Sequence, residues 1–428
     1  MTNDSRNGPD TGPGALPAVL GGFDLTDQAG FAAGVPYDVL ARLRREAPVL
    51  FHPPGHMPDG EGFWVLTRYD DIAAAAADPA FSAQGGGGRR GGGSHLADLP
   101  LGQVAGVLLP MMDNPRHELI KQLLRPAVSA GVAAALEGEL RTCAAEVIDK
   151  AVARGACDFV TDVTEQFAVR AVALLLGAPR RDWDRLVAWA HDVVGFTDRR
   201  AGRPTERSQA TLTAMQGYVT GLLAAKSTDP GEDLASVVAI GEIPGTSPLS
   251  PLERASNLGL LLLTGSEQPR NTAAGGVLAL AERPDQWRAL RTDRSLVPGA
   301  VEEMLRWAPP NPYNRRTATR DVELRGSLIR AGDKVTLWWP AANRDEAVFA
   351  APEEFDVRRD PNPHLTFGAG AHYCLGDEVG RLELRVLLEE LLDRVAAIRV
   401  TGPVGYAPSN KHAVMLEMPV ELVAAARA

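Results

Sequence analysis

Apolar residues recur at helical spacing over most of the chain, while short β-branched or aromatic runs gather mainly in its last quarter. Tyr37 to Glu46 and Asp70 to Ala77 read as helices, separated by Gly62-Phe-Trp-Val-Leu-Thr-Arg68, a strand rich in aromatic and β-branched residues. From Arg116 to about Gly177, Ala, Leu, Val, Glu and Arg at helical spacing predict long helices, broken near Gly155. Helices continue from Arg180 to Lys226 around a polar interruption, Thr197 to Ser208. Pro251 to Leu280 reads as one long, largely apolar helix that must be buried, and Pro298 to Trp307 as another helix. Strands are expected at Val322 to Leu324, Lys334 to Trp339, Ile398 to Val400 and Val414 to Met418.

This order predicts a mainly α protein with small β-sheets. Neither an internal repeat nor a Pro/Gly/Ser linker divides the chain, so a single large domain over 18–428 is expected behind a disordered lead, residues 1–17. Gln84 to Ser94 holds seven glycines and no apolar periodicity. It lacks the strand–helix context of G-x-G-x-x-G and any G-x-x-x-x-G-K-[ST], which argues for a mobile covering loop rather than a phosphate cradle.

The 428 residues are 45% hydrophobic, enough for a large core, and only three are cysteines, too few for a disulfide framework or a four-cysteine zinc site. Lys and Arg number 44 against 54 Asp and Glu, giving a formal charge of -10 that removes any general attraction to nucleic acid or anionic membranes. The polar N-terminus resembles no signal peptide, and no apolar run approaches the roughly 18 residues needed to span a bilayer. The expectation is a cytoplasmic protein with no nucleic-acid or membrane partner.

The sharpest local feature is Phe367-Gly-Ala-Gly-Ala-His-Tyr-Cys-Leu-Gly376, followed by a helix with apolar positions Leu375, Val379, Leu382 and Val386. Glycines let the backbone turn tightly and approach a ligand, while N–H groups at a helix start stabilise a thiolate. A cysteine in this setting is a nucleophile or a metal ligand. Phe367 to Gly376 is similar at every defined position to the haem-binding signature F-G-x-G-x-[HR]-x-C-x-G of the cytochrome P450 family. Glu303-Met-Leu-Arg306 resembles that family's second mark, E-x-x-R. Further likenesses to bacterial, actinomycete-type members run from Trp64 to Asp71, through Met112-Asp-Asn-Pro-Arg-His117, to Pro361-Asn-Pro-His364, so the resemblance covers essentially the whole chain.

The resemblance implies a single P450-type helical domain binding haem b, iron protoporphyrin IX, with Cys374 as the thiolate on the metal. Phe367, Gly368 and Gly376 would shape that loop, while His117, Lys121, Arg316 and His372 match the positions that meet the haem propionates. Lys121 stands where many relatives carry Arg, keeping the charge without the bidentate fork. Glu303 and Arg306, with Arg359 as third member, match a structural ion-pair network behind the cysteine loop. On the long helix relatives commonly read A-G-x-[DE]-T-T; here Thr264-Gly265-Ser-Glu267-Gln268-Pro269 keeps the acid and loses the alcohol. Gln268 donates hydrogen bonds but is no comparable proton source, and Pro269 leaves the Gly265 carbonyl without its helical N–H and should kink the helix there. Thr264, Gly265, Glu267 and Gln268 are therefore the expected catalytic stretch.

Family positions lining the pocket match Leu260, Leu263, Thr264, Pro310, Asn311 and Val414, mostly apolar, which implies a hydrophobic small-molecule substrate of natural-product type. The implied activity is a monooxygenase supplied with electrons by a separate ferredoxin and ferredoxin reductase, with Arg381 and Arg385 as docking charges or merely solvated ones. The alternative suggested by Gln268-Pro269 is haem chemistry without oxygen insertion from dioxygen: nitrogen or carbon group transfer, cyclisation, or peroxide-driven oxidation. A non-catalytic haem protein is the third reading.

Overall fold

The computed structural model describes residues 15–195 and 197–426, so the expected disordered lead falls outside it up to residue 14. Helices at Tyr37–Glu46, Tyr69–Ala77 and Val297–Trp307 begin and end within one residue of where the apolar spacing places them, and Trp183–Asp192 and Glu206–Thr228 flank the polar interruption read at Thr197 to Ser208. Ala130–Arg154 and Glu165–Leu175 fill the stretch read as long helices. The long helix spans Pro251–Ala281, opened by a capping box in which Ser250 and Glu253 satisfy each other's backbone N–H and Pro251 takes the first helical position. It continues through Pro269 without interruption. Fifteen of its residues are buried, including the polar Asn257, Glu267, Arg270 and Asn271, because other helices surround it.

Glu165–Leu175 and Val297–Trp307 pack along the long helix, and the helix after the cysteine loop, Asp377–Arg394, packs on Ala130–Arg154. Their apolar faces join one extensive core, with Phe159, Phe167, Leu258, Ala274, Val301 and Leu391 each no more than 3% exposed. A five-stranded sheet lies beside this body in the order Val49–His52, Phe63–Leu66, Lys334–Trp338, Tyr313–Ala318, Phe81–Ser82. Val335 pairs in parallel with Trp64, while the other neighbours run antiparallel. The strand Tyr313–Ala318, absent from the sequence reading, buries both Arg315 and Arg316, one on each face, and its polar sequence hides that role. A smaller sheet joins Val395–Val400, Pro419–Ala424 and Ala156–Asp158. Among the described residues no single helix is long and apolar enough to cross a membrane.

The glycine-rich segment is packed, contrary to the expectation of a loop with nothing to pack. Gly91–Gly92 pairs with Leu99–Pro100, and Gly91, Gly92 and Gly93 are buried. Asp113 anchors its start by accepting from the Ser82 hydroxyl and, at 2.9 Å, from the Ala83 N–H. Gly87, at φ +60°, lies so close to Gly332 that a Cβ would fall 2.2 Å from the Gly332 nitrogen. The glycines thus serve backbone-to-backbone packing, which leaves no hydrophobic pattern in the sequence.

Candidate active site

A cavity of about 400 Å³ separates the long helix from the cysteine loop, and most of its lining is apolar. Cys374 lines it, carried on a loop closed by the hydrogen bond from its own N–H to the Phe367 carbonyl at 2.8 Å. Gly370 adopts φ +67° and presses on the helix Tyr69–Ala77, where a Cβ would meet the Ala76 carbonyl at 2.7 Å. Phe367, Gly368 and Gly376 also line the cavity, and the Arg381 guanidinium stacks 4.6 Å from the centre of the Phe367 ring. Burial pushes the Cys374 thiol above its ordinary range, against the pull of the Gly376 N–H. Coordination to a metal cation would hold the sulfur as a thiolate.

Behind the loop Glu303 and Arg306, both fully buried, form a bidentate pair with two contacts of 2.7 Å. Arg306 also donates to the Asn343, Pro352 and Glu354 carbonyls, and Glu303 accepts from Arg359, Asn362 and the Asp356 N–H. Asn343 then bonds Thr366, whose hydroxyl donates to the Leu305 carbonyl, connecting this network to the residue before Phe367.

His117, His372, Arg316 and Lys121 line the same cavity. The two imidazoles stand 4.2 Å apart, each with a buried Nδ1 that has no partner. Burial and the neighbouring cations push His117 down to about 4 and His372 to about 2. Arg316 is buried with only the Arg315 carbonyl as acceptor, and burial pushes its guanidinium down to about 10. Such a cluster without an anion is costly unless a ligand brings negative charge. Two carboxylates on a flat, largely apolar group facing Cys374 meet that need, so the residues fit a haem. The Lys121 ammonium donates to the Ala371 and Tyr373 carbonyls at 2.7 and 2.6 Å, which ties it to the cysteine loop as well.

Leu260, Leu263, Thr264, Gly265, Glu267, Gln268, Pro310 and Asn311 all line the cavity. Val414 does not; it is buried against Val194 and Ala407, and the same turn instead presents Lys411 and His412 to the cavity. The Thr264 hydroxyl donates to the Leu260 carbonyl one turn back, and Gln268 Oε1 is buried without a partner. Glu267 lies 2.7 Å from His412 Nδ1 and accepts from the Gly195 N–H at 3.2 Å. Burial alone would raise its pKa, yet His412, Arg270 and that N–H together hold the carboxyl below its ordinary range.

Four charged or imidazole residues in the lining escaped the sequence reading: His95, Lys411, His412 and Glu383. Glu383 was legible, a lone carboxylate among Val379, Leu382, Val386 and Leu387; burial pushes its pKa well above the usual carboxylate range, and its Oε2 has no partner. His95 and Lys411-His412 sit in loops without periodicity. Arg381 and Arg385, read as docking or solvated charges, are tied to Glu302 and Asp377 and to Glu137 and Glu389 respectively.

Residues 279–397 match the family model Cytochrome P450. The chain is 43% identical to the putative cytochrome P450 126 of Mycobacterium tuberculosis, over 95% of this chain and 98% of that one. It is 36% identical to the methyl-branched lipid omega-hydroxylase of the same organism, over 82% of each chain. A solved Mycobacterium marinum cytochrome P450 in complex with pseudoionone superposes with a TM-score of 0.84 at 31% identity, covering 94% of this chain and 98% of that one.

Proposed function

The chain belongs to the cytochrome P450 family, and from that premise we propose a haem-thiolate monooxygenase acting on a hydrophobic small molecule, in natural-product metabolism, with the terpenoid and branched-lipid classes first among its substrates. The observation that carries the reading is the juxtaposition of Cys374 with the anion-poor cluster His117, His372 and Arg316 around one apolar chamber. Bound there, haem supplies two-electron oxidation with dioxygen, placing one oxygen atom on substrate carbon and releasing the other as water.

Cys374 would hold the iron through its sulfur, and His117, His372 and Arg316 would receive the propionates. Lys121 fixes the loop carbonyls from one side while Glu303, Arg306 and Arg359 fix the preceding segment from the other. Leu260 and Leu263 exclude water and seat apolar substrate by burial of its surface. Glu267, held ionised by His412, is the acid nearest the position where relatives place an alcohol, and Gln268 donates hydrogen bonds there without supplying protons. Electrons come from separate proteins, a ferredoxin and its reductase, in a cytoplasmic setting. The names of two relatives, a methyl-branched lipid hydroxylase and a linalool 8-monooxygenase of Pseudomonas putida, support the substrate classes.

The test is conversion of a panel of terpenoids, branched lipids and steroids by haem-loaded enzyme with a surrogate ferredoxin, its reductase and NADPH. Hydroxylated product dependent on every component supports the reading. Turnover that proceeds without reductant would favour the redox-neutral chemistry suggested by Gln268-Pro269.

A further inference from the structure

The chamber carries a second polar group, which adjoins the set around Cys374 at Arg316. The turn before Met415–Glu417 contributes Lys411 and His412, and the segment after the glycine pair contributes His95. His95 and His412 rings lie 6.4 Å apart. A carboxylate, Glu267, stands 2.7 Å from His412 Nδ1, out of hydrogen-bonding alignment. Lys411 and His95 have no such neighbour. The Lys411 ammonium donates to the Tyr313 carbonyl at 2.6 Å and sits 4.9 Å from the Tyr313 ring centre, but no carboxylate among the described residues pairs with it. His95 Nδ1 is buried without a partner.

The surroundings sharpen the mismatch. Tyr313, Arg316, Glu267 and His95 are the titratable or charged groups around Lys411; the ring is neutral, and Glu267 is shared with His412 and Arg270. Burial and Arg316 push Lys411 down to about 7, and burial with Lys411 and His412 nearby holds His95 well below its ordinary value. A purely hydrocarbon substrate would leave His95 Nδ1 without a partner and the Lys411 ammonium with the Tyr313 carbonyl as its acceptor and no anion. A ketone or hydroxyl could accept one hydrogen bond without balancing the charge. A carboxylate does both.

We propose that the substrate carries a carboxylate, received by Lys411 and His95, while its hydrocarbon part lies against Leu260, Leu261 and Leu263 in the same chamber. The inference rests on the reading of this cavity as a monooxygenase's substrate chamber, and it makes the preferred substrate an acidic amphiphile rather than a neutral terpenoid. Lys411 and His95 are specificity residues here: they touch the substrate's head group and take no part in the oxidation.

Isothermal titration calorimetry of the haem-loaded enzyme with dodecanoate and with dodecanol separates head-group recognition from burial of the chain. Dodecanoate is expected to bind about tenfold or more tightly, the factor carried by one charge-assisted hydrogen bond set. Lys411→Met should abolish the preference and His95→Phe should reduce it. If Lys411→Met fails to fold, the native comparison and His95→Phe still decide. Equal affinities, tighter alcohol binding, or an acid preference that survives in Lys411→Met would overturn the proposal. So would a Lys411→Met enzyme that loses haem while keeping the preference, since Lys411 would then serve the cofactor. Binding of neither amphiphile would overturn the apolar-chamber reading itself, a result distinct from equal binding of both.

Discussion

Replacing Glu303 by Ala removes the acceptor of a fully buried guanidinium. Arg306 would lose two contacts of 2.7 Å and keep its Asn343, Pro352 and Glu354 carbonyls. The Asp356 N–H and the Asn362 amide would lose their partner as well. Breaking one side of a buried ion pair costs about 3–5 kcal/mol, because the remaining charge stays buried and uncompensated. That is a large share of a typical folding free energy of about 5–15 kcal/mol. Since Asn343 and Thr366 transmit the network to the cysteine loop, the loss should appear as failure to retain haem as well as lowered stability. Urea unfolding followed in parallel by far-ultraviolet circular dichroism and haem absorbance measures both. The double variant Glu303→Leu with Arg306→Met, which removes both charges, should recover more than half of the loss. A Glu303→Ala protein that unfolds within about 1 kcal/mol of native, below the lowest expected cost, and takes up haem normally would refute this reasoning.

Cys374→Ser should leave the helical body folded while abolishing the thiolate-specific absorption of the haem-loaded protein; an unchanged spectrum would remove Cys374 from the metal. Arg316→Leu should leave the cofactor-free protein no less stable, because it deletes a buried cation with one acceptor, yet speed haem transfer to apomyoglobin by roughly 10- to 100-fold. A less stable apoprotein with unchanged haem transfer would contradict that assignment. Glu302 is held down to about 2, burial being outweighed by His364 and Arg381. Its folded pKa lies below its unfolded one, so its contribution is fully present above about pH 4.5 and is lost as pH falls toward 2. Acid titration of Glu302→Gln should therefore show a shallower stability loss through that window, and a slope equal to native would count against the pair. Gln268→Thr combined with Pro269→Thr should raise product formed per NADPH consumed; an unchanged or lower ratio would show that the missing alcohol is not what limits coupling.

The helices were legible because their apolar stripes are long and their breaks carry Gly, Pro or polar runs. The fold class followed from them, and the strand Phe63–Leu66 followed from its aromatic and β-branched run. Tyr313–Ala318 was not legible, because Asn314, Arg315 and Arg316 make a central strand read as a polar loop. The glycine segment misled for a related reason: close backbone approach needs small residues, not an apolar period. At the site, Cys374 announced itself through the glycines that shape its loop, and Glu303 and Arg306 gained weight only beside that motif. The polar residues His95, Lys411 and His412 reach the chamber from segments far apart in sequence, and no local spacing relates them. Val414 shows the same limit from the other side, since one turn can present Lys411 and His412 inward while burying its valine elsewhere.

The most direct test is mass spectrometry of a producer-cell extract incubated with haem-loaded enzyme, a surrogate ferredoxin and reductase, and heavy-isotope dioxygen, beside an anaerobic sample without reductant. A monooxygenase gives a compound that gains one labelled oxygen only when dioxygen and reductant are present. A compound converted equally in the anaerobic sample would contradict monooxygenation and turn the replacement of the alcohol by Gln268 and Pro269 into the mark of a different reaction.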